Sequence, residues 1–305
     1  MRRSYILMEL YQKFRQEIAA GDFRALARGL TLVENEIEPA SKLLQNIIIR
    51  EEVPIIGITG PPGAGKSTLV NAITDCFVAD QKKVAILAVD PTSPFNFGSL
   101  LGDRIRMSKQ FNLSGVFIRS VATRGALGGI SVKTQEMIDL IRSSNFDLII
   151  VETVGVGQSE VEIAGLADKT VVVLVPESGD EIQHIKSGLM EIAQAFVVNK
   201  ADREGADYFA HSLKKLLSQQ EQEIPIFKTI ADKGIGVEEL CKWMIEPERM
   251  TSERKELLMA EKVFKLIQHY RSKSIDKQLL RVELREAMSQ KSFNVYGFAQ
   301  AFEQR

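Results

Sequence analysis

Hydrophobic positions follow two different periods along this chain. Between residues 53 and 245, short apolar runs alternate with amphipathic segments. The runs at 54–59, 83–89, 115–119, 147–152, 170–175, 194–199 and 224–228 read as strands. Several are near-continuous rather than alternating, as a strand buried on both faces requires. Gly, Pro or polar turns follow most of them. Strands alternating with helices predict βαβ units, hence an α/β fold: a mainly parallel sheet flanked by helices. The two flanks have helical periodicity. Leu7, Leu10, Phe14 and Ile18 keep helical spacing, and Gly21-Asp22 breaks it. Phe23 to Asn35 resumes the pattern, and Ser41 to Ile49 repeats it after Pro39.

This pattern divides the chain into a helical N-terminal extension over 1–50, an α/β domain over 51–245 and a helical C-terminal extension over 246–305. In the last, Leu257, Leu258, Phe264 and Ile267 share an amphipathic stripe with Glu261, Lys262 and Lys265. Such a stripe serves either a surface helix packed on the core or a dimerisation arm. In a parallel sheet, ligands bind beyond the carboxyl ends of the strands, so polar residues there carry the functional argument.

The run Gly60-Pro61-Pro62-Gly63-Ala64-Gly65-Lys66-Ser67-Thr68 matches G-x-x-x-x-G-K-[ST] and lies between an apolar strand and a helical pattern. That setting marks a phosphate loop and predicts a P-loop NTPase. Its glycines let backbone N–H groups turn towards phosphate, and the helix N-terminus adds partial positive charge. Lys66 is expected to reach the β and γ phosphates, and Ser67 to offer a hydroxyl to Mg²⁺.

Acidic residues follow at other strand ends. Asp90 closes the run Val84–Val89, where a carboxylate can hold a Mg²⁺-bound water. Glu152 closes Asp147–Val151 and has the character of a Walker B acid. Gly155, just beyond it, can present an N–H to the γ-phosphate, and Gln158 can orient a water or signal outward. Asp103, after Gly98-Ser99 and Gly102, either orients metal waters or the attacking water, or caps a helix. Arg124, in a glycine-rich stretch, either stabilises transition-state charge or faces structure or a partner.

Asn199-Lys200-Ala201-Asp202 ends a later apolar run as N-K-x-D. Asp202 can accept from both N1–H and the 2-amino group of guanine. Adenine lacks that donor pair, so GTP is preferred to ATP. Lys200 can lay its stem along the base, and Asn199 can tie strands together.

Composition narrows the setting. A formal net charge of −1, with basic residues dispersed, argues against a nucleic-acid binder working by bulk charge. Cys76 and Cys241 are far apart and lack ligand spacing, so they read as small apolar residues. His184, His211 and His269 are isolated and read as surface or satisfied histidines. No apolar run has the length of a membrane span, and the Glu9-interrupted start does not read as a signal peptide. A reducing cytoplasm fits best.

The runs around 57–69, 88–94, 101–107, 119–129, 150–160 and 197–202, with Leu30-Thr31-Leu32-Val33-Glu34-Asn35, resemble the ArgK/MeaB family of G proteins. The resemblance covers roughly 25–245. It implies a SIMIBI-class GTPase, a homodimer with helical extensions, and a chaperone of an adenosylcobalamin-dependent acyl-CoA mutase, chiefly methylmalonyl-CoA mutase. Such proteins gate cofactor loading and protect the mutase, which stimulates their slow GTP hydrolysis. By position, Lys66, Ser67, Asp90, Asp103 and Glu152 resemble the phosphate and Mg²⁺ site, Gln158 lies in the signalling switch, and Asn199, Lys200 and Asp202 resemble the base site. Thr229-Ile230-Ala231 stands where the family's base loop usually reads T-S-A, which leaves Ile230 and Ala231 to contact the base through backbone groups. The last sixty residues resemble the family poorly. Two alternatives stay open: an ATP-dependent kinase of lysine/arginine/ornithine transport, and a metal-delivery G protein, for which Cys/His ligand spacing is lacking.

Overall fold

The computed structural model describes residues 2–90, 109–122, 132–153, 163–177, 188–218, 223–247, 252–273, 275–289 and 293–303. They form two compact units, 1–249 and 250–305.

The first unit is built on seven strands: β1 (Ile55–Thr59), β2 (Val84–Asp90), β3 (Val116–Ala122), β4 (Leu148–Thr153), β5 (Lys169–Leu174), β6 (Ala195–Asn199) and β7 (Ile226–Thr229). Their order is β3-β2-β4-β1-β5-β6-β7 and every pairing is parallel. Each predicted run contains a strand. The third extends beyond its predicted end because β3 pairs with β2 without a break from Val116 to Ala122.

Among the described residues, eight helices belong to this unit: α1 (Arg2–Ala19), α2 (Phe23–Glu34), α3 (Pro39–Asn46), α4 (Lys66–Ala79), α5 (Val132–Arg142), α6 (Leu189–Ile192), α7 (Ala206–Ser218) and α8 (Val237–Ile245). The Asp22 carboxylate caps α2 by accepting from the Ala25 N–H at 2.7 Å. The third helix begins at Pro39, two residues before its predicted start, because proline's fixed φ suits the first turn. It ends at Asn46, where Ile47 turns extended.

Successive strand residues point to opposite faces, and this alternation sorts the core into layers. Ile56, Ile58, Ile86, Ile150 and Val171 pack on one face with Leu69 and Ile73 of α4 and Leu240 of α8. Ala85, Leu87, Ile149 and Val151 pack on the other face with Leu26 and Leu30 of α2, Leu43 of α3 and Leu140 of α5. The N-terminal helices thus complete one covering layer of the sheet. Val172, Leu174, Phe196 and Val198 bury against Phe209 and Leu213 of α7.

Two polar clasps fix the sheet at its amino end. The Asp168 carboxylate accepts from the Ile55 N–H at 2.8 Å and from Arg142 at 2.9 Å. Burial pushes the Asp168 carboxyl above its ordinary range, outweighing the pull of Arg142. Lys169 donates to the carbonyls of Trp243 at 2.6 Å and Glu246 at 2.7 Å, and lies 4.5 Å from the Trp243 ring centre. It thereby satisfies carbonyls at the end of α8 with a cation, where the helix dipole favours one.

The second unit contains α9 (Ser252–Lys273), α10 (Lys277–Met288) and α11 (Val295–Glu303). It leaves large apolar side chains exposed on all three helices, among them Leu257, Phe264, Val282 and Tyr296. Among the described residues, no helix is long and apolar enough to cross a membrane.

Leu30→Ala tests whether the N-terminal layer is integral to the fold. The side chain is fully buried between α2 and the sheet, so its loss should cost about 2–5 kcal/mol. Urea unfolding would show it as a lower midpoint, and an unchanged midpoint would contradict the packing described.

Candidate functional site

The phosphate loop leaves β1 in the middle of the sheet and enters α4 directly. Gly60, Gly63 and Gly65 have φ of 138°, 78° and 85°, a region other residues enter at a cost. Two of them also lack room for a side chain. A Cβ on Gly60 would lie 2.1 Å from the Val173 carbonyl oxygen, and one on Gly65 would lie 2.4 Å from Asn199 Nδ2. Pro62, Gly63 and Thr68 face outward while Ala64 is buried, and Pro61 is half-buried. α4 begins after Gly65 with no side-chain cap and no acidic residue in its first turn. Its first amides and the positive end of its dipole are therefore suited to an anion. Lys66 is buried, and its ammonium donates to the carbonyls of Gly60 at 2.7 Å and Pro61 at 3.0 Å.

Ser67 Oγ donates to Glu152 Oε1 at 2.7 Å, joining the start of α4 to the end of β4. Glu152 is buried and lies in register with Ile58 on one side and Ala88 on the other. One register step further, Val89 is opposite Thr153, and Asp90 ends β2. Serine hydroxyl and carboxylate oxygens are the hard donors that Mg²⁺ takes together with water, so this pair fits that ion. Beside them, the buried Thr153 hydroxyl donates to Thr59 Oγ1 at 2.9 Å, joining β4 to the strand that feeds the phosphate loop. No sequence pattern pointed to this threonine pair. Asp103, Arg124, Gly155, Gln158 and His184 lie outside the described residues.

The N-K-x-D run ends β6, two strands from β1. Asn199 is buried, and its side-chain amide serves three segments. Nδ2 donates to the Ala64 carbonyl at 3.0 Å, while Oδ1 accepts from Thr229 Oγ1 at 3.1 Å and from the Ala231 N–H at 3.2 Å. Lys200 has φ of 55°, unusual for a side-chain-bearing residue, and its ammonium donates to the Gly63 carbonyl at 2.8 Å. Asn199 and Lys200 thus both hold the phosphate loop. Asp202 is exposed and accepts from Lys233 Nζ at 3.2 Å. That bond, first among several influences, holds its carboxyl below the ordinary range. Ile230 is half-buried and Ala231 buried, in a loop closed by paired backbone bonds between Ile230 and Ile235.

Among the other singled-out residues, Cys76 on α4 and Cys241 on α8 are brought together although 165 positions separate them (241 − 76). Both are free thiols; burial first, and then the Cys76 contact, push the Cys241 thiol far above its ordinary range. His211 lies on α7 and His269 on α9.

A family model described as the methylmalonyl-CoA mutase-associated GTPase MeaB matches residues 26–282. A protein of Pyrococcus horikoshii named as a GTPase is 44% identical over 282 residues, covering 88% of this chain and 89% of its own. GTPase ArgK of Escherichia coli is 40% identical over 202 residues, 64% of this chain and 60% of its own. The methylmalonic aciduria type A homolog of mouse is 36% identical over 253 residues, 75% and 61% of the two chains. A crystal structure titled as a LAO/AO transport system kinase superposes with a TM-score of 0.67 at 23% identity, covering 96% of each chain, a likeness of fold.

Gly65→Ala tests the brace between the phosphate loop and β6. The methyl group meets an amide already fixed by three bonds, in a backbone region unfavourable to alanine. Stability should fall by about 1 kcal/mol or more. GDP affinity should fall at least about tenfold, since the loop can no longer hold its shape. Thermal melting and titration calorimetry read the two effects, and wild-type values in both would contradict the brace.

Proposed function

The chain belongs to the methylmalonyl-CoA mutase-associated GTPase family, and from that membership we propose that it uses GTP to chaperone an adenosylcobalamin-dependent acyl-CoA mutase. The enzyme itself is a P-loop GTPase that binds guanine nucleotide and hydrolyses GTP to GDP and phosphate. The observation that carries the nucleotide half is the direct bonding of Asn199 and Lys200 to the phosphate loop. It makes one connected body of the groups suited to phosphate and those suited to the base. The mutase half rests on the family, whose description names methylmalonyl-CoA mutase.

In this reading the backbone N–H groups of residues 63–68, at the turn of the loop and the start of α4, hold the phosphates. Lys66 exchanges its two carbonyl partners for phosphate oxygens, which are charged and therefore stronger acceptors. Ser67, Glu152, Asp90 and Asp103 would hold Mg²⁺ directly or through water. Bound there, the ion would supply positive charge to offset the charge that develops on the phosphate oxygens. Lys66, Asp103, Glu152 and Gln158 form the catalytic set: Lys66 offsets phosphate charge, and the acids and Gln158 order the attacking water or its signal. Little covalent help is needed, because phosphoryl transfer depends on positioning and electrostatics. The N–H of Gly155 senses the γ-phosphate, and the segment through Gln158 carries its loss to the mutase. Lys200 flanks the base, Asp202 reads its two donors, and Ile230 and Ala231 close over it with backbone groups.

The second unit is the dimerisation arm in this proposal. Its helices leave Leu257 at 71% and Tyr296 at 81% exposure, together with Phe264 and Val282, and an apolar surface of this kind marks an interaction site. In this proposal the protein works as a cytoplasmic homodimer that gates cofactor loading of the mutase and protects it from inactivation.

Asp202→Asn should lower GTP affinity at least about tenfold, because one carboxylate acceptor becomes a donor facing a donor. The same change should improve affinity for xanthosine triphosphate, whose ring carries a carbonyl where guanine has its amine. Competition binding measures both, and an unaltered preference for GTP would remove Asp202 from the base site.

Turnover of GTP and ATP, measured with and without methylmalonyl-CoA mutase, tests the full reading. The expected result is GTP-selective hydrolysis that rises several-fold with the mutase. Turnover unaffected by the mutase would remove this partner, and ATP-selective turnover would favour the transport-kinase alternative.

A further inference from the structure

We infer that Lys233 is a specificity-positioning residue of the base site, holding the Asp202 carboxylate in the orientation that distinguishes guanine from bases with fewer donors. The inference rests on the nucleotide reading above and concerns a residue outside the N-K-x-D run.

The loop after β7 is built to deliver this side chain. Thr229 Oγ1 and the Ala231 N–H are both held by Asn199 Oδ1. Ile230 and Ile235 then exchange backbone hydrogen bonds of 3.0 and 3.3 Å, which closes a short loop around Ala231–Lys233. Gly234 and Gly236 turn the chain with φ of 69° and 75°. A Cβ on Gly236 would lie 2.1 Å from the Lys228 carbonyl oxygen, so the loop's return path admits only glycine. The Lys233 ammonium reaches Asp202 Oδ2 at 3.2 Å across 31 residues of chain. Loop and reading residue thus share one anchor, Asn199.

A carboxylate accepts several donors at once, so the Lys233 contact and a base can occupy Asp202 together. Guanine offers N1–H and a 2-amino group, and both bonds need the carboxylate plane aligned. Asp202 is exposed and would otherwise sample several rotamers, losing alignment to conformational entropy. Lys233 removes part of that freedom and also favours the ionised form. Arg203 acts on the same carboxyl from a distance, but its guanidinium is engaged by Glu177. Among the described residues, Lys233 is the cation that bonds Asp202 directly. Hypoxanthine retains N1–H and lacks the amine, so it depends less on alignment.

The test compares GDP, inosine diphosphate and ADP binding by titration calorimetry in wild-type protein, Lys233→Met, Lys233→Arg and Asp202→Asn/Lys233→Met. In Lys233→Met, GDP affinity should fall about fivefold and inosine diphosphate affinity less than about twofold, the scale of one exposed charged contact. A merely attractive charge would weaken all three nucleotides alike. Lys233→Arg should restore most of the GDP preference. With Asn at 202, the Lys233→Met change should leave the GDP to inosine diphosphate ratio unaltered, since the two residues act through one another. A wild-type ratio in Lys233→Met would overturn the assignment while leaving the base site intact. Wild-type protein that fails to prefer GDP over ADP would overturn the base-site reading and this inference with it.

Discussion

One side-chain amide holds the nucleotide end of this protein together. Asn199 is buried at the end of β6, and its single amide bonds the phosphate loop at Ala64, the strand end at Thr229 and the loop at Ala231. A buried amide is costly unless its hydrogen bonds are made, so these three segments are constrained to one arrangement. Gly65 is required by the same packing, because its α-carbon lies against this amide. Lys200 adds a second tie to Gly63, and its left-handed backbone shows how tightly the turn is held.

The sheet makes that concentration of polar groups affordable. Every described strand is parallel, so all carboxyl ends emerge at one edge, where polar side chains escape the apolar layers. Ser67 with Glu152, and Thr59 with Thr153, link the phosphate loop to β4 at this edge, while Asn199 links it to β6. Strands on both sides of β1 therefore sense the loop. At the opposite edge, Asp168 and Arg142 perform a structural task, with β1 and β5 fastened by a carboxylate whose burial outweighs its partner's charge.

Two regions lie beyond the strand-and-loop logic. The N-terminal helices supply Leu26, Leu30 and Leu43 to the same core as Leu87 and Val151, so this layer stabilises the sheet directly. The last three helices form a compact unit with much apolar surface outside. A chain that leaves such side chains in water gains stability by covering them, and a second copy is the covering we propose.

The sequence alone determined the parallel α/β architecture, because period-2 and continuous apolar runs between helical segments allow few other ways to bury them. It also identified the phosphate loop, since glycine spacing and a Lys-Ser pair are local requirements carried by consecutive residues. Strand ends were legible to within a few residues, and β3 ran longer than its apolar run because pairing with β2 continues past it. Tertiary structure alone decided which distant residues meet. Cys76 beside Cys241, Thr153 on Thr59, and Lys233 on Asp202 leave no periodic trace in the chain. Such contacts depend on strand order and register, which hydrophobic spacing does not encode. The buried ones among them draw their strength from burial and alignment, properties that exist only once the sheet has assembled.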